Sequence, residues 1–320
     1  MTQPSENRPT YPPNGPPPGG PQGLPSAQPS SPFPAEPPPA PKRRRWIPRL
    51  MVLLFFAALT APCIAALVPR EIALWHLIAA QEDRAAGRKD QAYDRLQDAI
   101  RWSPKNAGML RQRAVWRLED GQQEAALTDV NLAADAAPDD VEVLELRAQI
   151  LQHLDRHAEA IQDWKTLDRL SQTHGTPTRA QALNGLAYAR AVGKLDLDDA
   201  LKNVSMALEL APQNPAILDT RGYLLHLQGE HEKALPDLDA AVPGMEDQLT
   251  QIKNRPEELQ RSILSADIDE SGINSPEQGV AVVRYHRALV LKALGREKDA
   301  QVDLDRARQL IGREPDEKLF

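Results

Sequence analysis

Along most of the chain the apolar positions recur at helical rather than strand spacing, and one arrangement returns again and again. "GRKDQAYDRLQDAI" (87–100), "GQQEAALTDVNLAA" (121–134), "GEHEKALPDLDAAV" (229–242) and "GREKDAQVDLDRAR" (295–308) each begin with glycine. Each then places alanine at +5, a large apolar residue at +9 and a second alanine at +12. Spacing of four and then three puts all three on one face of a helix. Small residues there let two helices approach closely, and the large one fills the space beside them.

With the first alanine as marker, the series is Ala92, Ala126, Ala160, Ala200, Ala234 and Ala300, in steps of 34, 34, 40, 34 and 66. Four residues on stand Leu96, Val130, Trp164, Val204, Leu238 and Leu304. Three further on stand Ala99, Ala133, Ala207, Ala241 and Ala307, with Leu167 the exception. Pro104, Pro138 and Pro212, in "SPKN", "APDD" and "APQN", stop one helix and start the next. A second helical run precedes the marker, ending near glycine in "LRQRAVWRLEDG", "LDTRGYLLHLQG" and "RYHRALVLKALG". Two helices and two turns per 34 residues is a helix-turn-helix repeat. One unit cannot bury its own apolar face, so units must stack.

The amino-terminal quarter obeys another pattern. Sixteen of the 29 prolines lie in residues 1–41, with Gly, Ser and Gln and few aliphatic residues. Such a stretch cannot bury enough apolar surface to offset its ordering entropy, so a disordered tail with polyproline-II character is expected. It reads as a spacer or as a ligand for a Pro-binding groove. The basic segment "KRRRWIPR" (42–49) follows, and then the uncharged run "LMVLLFFAALTAPCIAALVP" (50–69). Twenty residues of helix span about 30 Å, the hydrocarbon thickness of a bilayer. Arg49 and Arg70 bracket the run, and Trp46 and Trp75 stand just outside it, as interfacial aromatics do. A transmembrane helix at 50–69 is therefore expected. Its amino-terminal flank is too long for a usual cleaved signal. Five of the six basic residues of 1–69 fall at 42–49, which puts the tail in the cytoplasm and the repeats on the far side, in the periplasm if the source is bacterial.

Charge sharpens the division. Residues 1–69 hold six Lys/Arg against two Asp/Glu, whereas residues 70–320 hold 32 against 43. So acidic a main domain argues against nucleic acid as a partner. The single cysteine, Cys63, excludes an intramolecular disulfide framework and a Cys-based zinc site.

The repeat resembles the tetratricopeptide repeat (TPR) family: period 34, a glycine turn, alanine at repeat positions 20 and 27, a large residue at 24 and proline at 32. The units fall at about 73–106, 107–140, 141–174, 180–214, 215–248 and 281–314, within a domain of residues 71–314 followed by a short tail, 315–320. First-helix aromatics usual in the family are mostly Leu, Ala or Arg here. The third unit lacks its closing proline, "SQTHGTPT" holds a short insertion, and 243–280 is an irregular insert, either a degenerate unit or a helical excursion.

The resemblance implies an all-α, right-handed superhelical solenoid whose first helices line a concave groove for peptides or helices of partner proteins. Carried over by position, the groove set is Arg111, Gln112, Gln149, Asn184, Tyr188, Asp219, Tyr223, Tyr285 and His286. Tyrosine offers apolar contact plus a hydrogen bond at low entropy cost, so three of the five tyrosines on one surface suit binding. The same rings could instead pack between first helices. The Lys/Asn/Arg set that clamps a terminal carboxylate in some members is not assembled here.

No catalytic site, cofactor, metal or small-molecule substrate is expected. His153 and His157 in "HLDRH" stand at i and i+4, but they fall on an inter-helix turn without a third ligand. "DIDESGINSPEQ" (267–278) has Gln278 where a calcium loop needs glutamate, and a polar turn is expected. The expected function is a membrane-anchored scaffold or adaptor for protein partners. The alternatives are a non-catalytic TPR subunit of an envelope enzyme or secretion complex, and a metal-dependent enzyme built on His153 and His157.

Overall fold

The structure is a computed structural model that describes residues 46–172, 176–255 and 275–316, with the side chains of 62–66 and 176–178 excepted. The chain divides into two compact units, 1–57 and 58–320. In the first, residues 46–57 are helical and begin α1 (Trp46–Ala85). The second holds the rest of α1 and α2 (Lys89–Trp102), α3 (Ala107–Glu119), α4 (Gln123–Ala136), α5 (Val141–His153) and α6 (His157–Ser171). It continues with α7 (Thr176–Val192), α8 (Leu197–Leu210), α9 (Pro215–Leu227), α10 (His231–Lys253), α11 (Pro276–Ala293) and α12 (Glu297–Ile311). No strand occurs among the described residues. The Pro-rich tail, the basic residues 42–45 and 267–274 of the calcium-like stretch lie outside them.

The turns explain the glycines. Gly87, Gly121, Gly229 and Gly295 have φ between +72° and +81°, the left-handed region that a Cβ disfavours. Each donates its N–H three residues back, and the next residue donates five back, as Gly121 to Leu118 and Gln122 to Arg117. This double closure is the Schellman motif. In the third pair Asp155 takes the same place at φ +56° with the same two bonds, to Gln152 and Leu151. The α7–α8 turn is one residue longer and puts Lys194 and Asp196 at positive φ. Helix starts are equally explicit. The side chains of Asn106, Asp140 and Asn214 accept from Met109, Val143 and Ile217 N–H, capping α3, α5 and α9 just after each proline.

The stripe lies where helices meet. All six marker alanines are fully buried, as are the five second alanines; Leu96, Val130, Val204 and Leu238 are at 0% exposure. Consecutive helices pack in pairs α3–α4, α5–α6, α7–α8, α9–α10 and α11–α12, and each pair packs on the next through α4–α5, α6–α7, α8–α9 and α10–α11. First helices also touch across pairs, α7 to α9 and α9 to α11. The closest approach uses glycine. A Cβ on Gly222 would lie 2.6 Å from Leu238 Cγ, and one on Gly185 would lie 2.6 Å from the Trp164 ring.

A second repeated layer ties each pair. Arg113, Arg147, Arg221 and Arg287 on first helices each make two hydrogen bonds to an aspartate 16 residues on, namely Asp129, Asp163, Asp237 and Asp303, at 2.5–2.8 Å. The fork of the guanidinium matches the carboxylate edge. In α1–α2 the polarity is reversed, with Asp83 on α1 accepting from Arg95 at 2.6 Å. In α7–α8 the aspartate is replaced, and Arg190 donates to Asn203.

The transmembrane helix expected at 50–69 is not shown. Among the described residues no helix is long and apolar enough to cross a membrane. α1 is helical throughout Trp46–Ala85, and past Val68 it turns polar, with Arg70, Glu71, Glu82, Asp83 and Arg84. The insert expected at 243–280 begins as a continuation of α10, which passes through Pro243 to Lys253. Residues 256–274 lie outside the described part.

Where α9, α10 and α11 meet, three histidines gather. The His226 ring is 4.9 Å from His231 and 6.5 Å from Tyr223, which stacks on His286 at 4.0 Å. Burial, with His231 and His286 nearby, lowers the His226 pKa to about 4.

Three outcomes are expected. Asp129 is 1% exposed and also faces Arg117 at 2.8 Å, so Asp129→Asn strands two arginines and costs about 3–5 kcal/mol in urea unfolding. Asp98→Asn, at the exposed pair with Arg101, leaves the unfolding curve unchanged. Between pH 6.5 and 4 the unfolded chain binds a proton at His226 that the folded chain refuses, so stability falls as pH drops through that window. His226→Gln flattens this slope when urea midpoints are compared at pH 7 and pH 5.

Candidate functional site

A cavity of about 690 Å³ opens along the first helices. Glu145, Gln149 and Gln152 from α5 line it, spaced four and three; Gln181, Asn184 and Tyr188 from α7 line it, spaced three and four. These are single helix faces, opposite in character to the alanine stripe. From α9 come Ala216, Ile217, Asp219 and Thr220, while Asn214, Met245, Gly279 and Val282 close the far side. Trp164 reaches in from α6, held by its indole N–H on Gln152 Oε1 at 2.7 Å and pressed against Gly185. Only glycine at 185 leaves room for that ring, so the floor of the groove depends on it.

Side-chain amides join the wall. Gln181 donates to Glu145, bridging α7 and α5. Asn184 Oδ1 is buried and has no hydrogen-bond partner among the described residues. Enclosure of the Tyr188 hydroxyl, with the Asp219 charge and then Tyr223 beside it, raises its pKa well above the ordinary phenol value. Asp219 Oδ1 lies 2.8 Å from His286 Nδ1, linking the groove wall on α9 to the buried ring on α11. A carboxylate accepts only, so Nδ1 carries the proton of that bond.

Of the residues expected in the groove, Gln149, Asn184, Tyr188 and Asp219 share this cavity. Tyr223, Tyr285 and His286 do not line it. They are 6%, 9% and 0% exposed: Tyr223 and His286 stack between α9 and α11, and Tyr285 packs with Ala281 and Ala307 inside the α11–α12 pair. Tyr188 and Tyr223 both stand four residues before the end of their helix, yet only Tyr188 meets the cavity. The difference is the partner: α11 covers Tyr223 through His286. Arg111 is exposed and Gln112 half-buried on α3, away from the lining. Glu145, Gln152, His153, Gln181, Asn214 and Thr220 were not anticipated, although the polar spacing on α5 and α7 was available to find most of them. His153 ends α5 and lines the cavity, whereas His157 begins α6, with Nε2 3.7 Å from Asp155. Among the described residues no group of three or more His, Cys, Asp or Glu is placed to hold a metal.

No family model matches the chain. A TPR repeat-containing protein of Pseudomonas aeruginosa is 29% identical over 146 residues, which is 45% of this chain and 24% of that protein. The matched stretch thus spans 24% of the length of that curated relative. Among solved structures, a tetratricopeptide repeat protein of Parabacteroides merdae superposes with a TM-score of 0.50 at 15% identity, covering 75% of this chain and 94% of that one. PilF of Pseudomonas aeruginosa gives 0.49 at 16% identity, covering 76% and 94%. The stacked helical pairs, their left-handed turn residues and the superposition on the Parabacteroides protein together show that this chain has the tetratricopeptide-repeat fold.

Proposed function

We propose that the chain is a non-enzymatic scaffold that holds a segment of a partner protein in the groove of α5, α7 and α9. The observation that carries this reading is the cavity itself: three first helices turn amide, hydroxyl and carboxylate groups, with Ile217 and Trp164 between them, toward one open space. A surface of that mixture recognises a peptide through both its backbone and its apolar side chains. Nucleic acid is disfavoured by the acidic excess of residues 70–320.

The scaffold is held at a membrane by residues 50–69. Support comes from the length and uncharged character of the run and from the flanking Arg49 and Arg70. In the described part, Leu50, Met51, Val52, Leu53, Leu54, Phe55, Phe56 and Leu59 are all exposed along α1. So many large apolar side chains in water carry a heavy hydration cost, which a bilayer removes. The basic cluster at 42–49 orients the tail to the cytoplasm and the repeats to the opposite side.

Site-specific photo-cross-linking in cells of the source organism tests the groove. A photoreactive residue at Gln149 or Gln181 is expected to trap the same partner band, and one at Gln162, exposed on α6, to trap none of it. Equal trapping from both positions refutes the groove as the binding surface. Protease added to spheroplasts tests the anchor: a carboxy-terminal tag is expected to be digested while cytoplasmic controls survive. A tag protected until lysis reverses the orientation, and a tag in the soluble fraction removes the anchor.

A further inference from the structure

We infer that the groove is selective for a cationic side chain, so that its occupant is a partner segment presenting lysine or arginine among uncharged residues. This rests on the groove being the partner site. Among the described residues the wall carries two carboxylates, Glu145 and Asp219, and no lysine or arginine lines it. The arginines of the same first helices are committed elsewhere: Arg147 on α5 and Arg221 on α9 fork onto Asp163 and Asp237 within their own helical pairs. The layer that ties the repeats therefore draws those two arginines away from the groove, while Glu145 accepts from Gln181 and Asp219 from His286 and both keep their negative charge in the wall.

The second observation concerns hydrogen bonding. Among the described residues Asn184 Oδ1 is a buried acceptor with no hydrogen-bond partner, one turn from Tyr188 and in the same cavity lining as Glu145 and Asp219. A buried carbonyl without a donor costs free energy, and a ligand that donates recovers it. Lysine and arginine side chains donate and never accept. An ammonium or guanidinium placed here would meet the Asn184 carbonyl and the field of two carboxylates, in a partly enclosed space where charge interactions are stronger than in water. An acidic segment would meet the same groups with no cation to offset its own charge.

Panning a random dodecapeptide display library on the full chain in detergent micelles tests this directly. Recovered peptides are expected to be enriched in Lys and Arg and depleted in Asp and Glu relative to the input. A synthetic copy of the most frequent peptide, followed by fluorescence anisotropy, should bind more weakly as salt rises. Glu145→Gln should weaken it about tenfold, the scale of one charge-assisted hydrogen bond. Glu145→Lys should shift a fresh selection toward acidic peptides, with far-ultraviolet circular dichroism checking that both variants fold. Gln149→Trp, which fills the groove, should abolish binding. Peptides blocked by Gln149→Trp but without basic enrichment overturn the charge selectivity and leave the groove as partner site. Peptides indifferent to Gln149→Trp, or no selected peptides at all, overturn both.

Discussion

A helical pair with its apolar stripe on one face has nowhere to bury that stripe except against another pair. Everything else in the molecule follows from how close those pairs come. The approach is set by residues with almost no side chain: the marker alanines and the second alanines are fully buried, and Gly222 sits so near Leu238 that a single added carbon would overlap it. Dispersion contacts fall off steeply with distance, so a stack held this tightly loses much if any one layer opens. The large residue of each stripe fills the volume between the small ones. Trp164 does this in the third pair, with Gly185 of the next pair yielding the space.

Close approach alone leaves helices free to slide along one another. The arginine–aspartate forks remove that freedom, because two parallel hydrogen bonds fix both distance and direction. Such buried pairs add little net stability compared with apolar packing, but they are costly to break on one side. Their recurrence 16 residues apart, in four pairs, makes register the feature they supply. The reversed pair Asp83–Arg95 and the amide version Arg190–Asn203 occupy the equivalent layer of the other two pairs. The position accepts different chemistry provided donor and acceptor face each other.

The fold was legible because its determinants are local and repeated. Alanine at fixed spacing, proline followed by a capping side chain, and glycine where φ must be positive each leave a mark in one dimension. The fork was equally available and was passed over. Arginine followed by Ala or Gly, then aspartate 16 residues on, stands at Arg113, Arg147, Arg221 and Arg287, but weighing the charges only as regional totals hid it. The groove was half legible. Helix position alone grouped Gln149, Asn184, Tyr188 and Asp219, which line one cavity. It could not separate Tyr188 from Tyr223, because the covering ring, His286, is 63 residues from Tyr223 in the sequence and arrives only when α11 packs on α9. Aromatic character was weighted as a binding signal, whereas the amides that dominate the wall are quiet in composition.

This division of labour between layers has a consequence for how such a chain changes. On each first helix, one face is committed to alanine contacts, a second to the fork, and a third to the groove. α5 shows the three side by side: Ala148 at 0% exposure, Arg147 on Asp163, and Glu145 with Gln149 on the cavity. Because the faces are separated by only one or two positions in sequence, substitutions on the groove face leave the other two intact. The wall can therefore be rewritten for a new partner without loosening the stack, provided Gly185 and the Asp219–His286 bond are kept. Trp164 and Ile217 likewise line the groove while belonging to the core, so at these positions partner choice and stability cannot be separated.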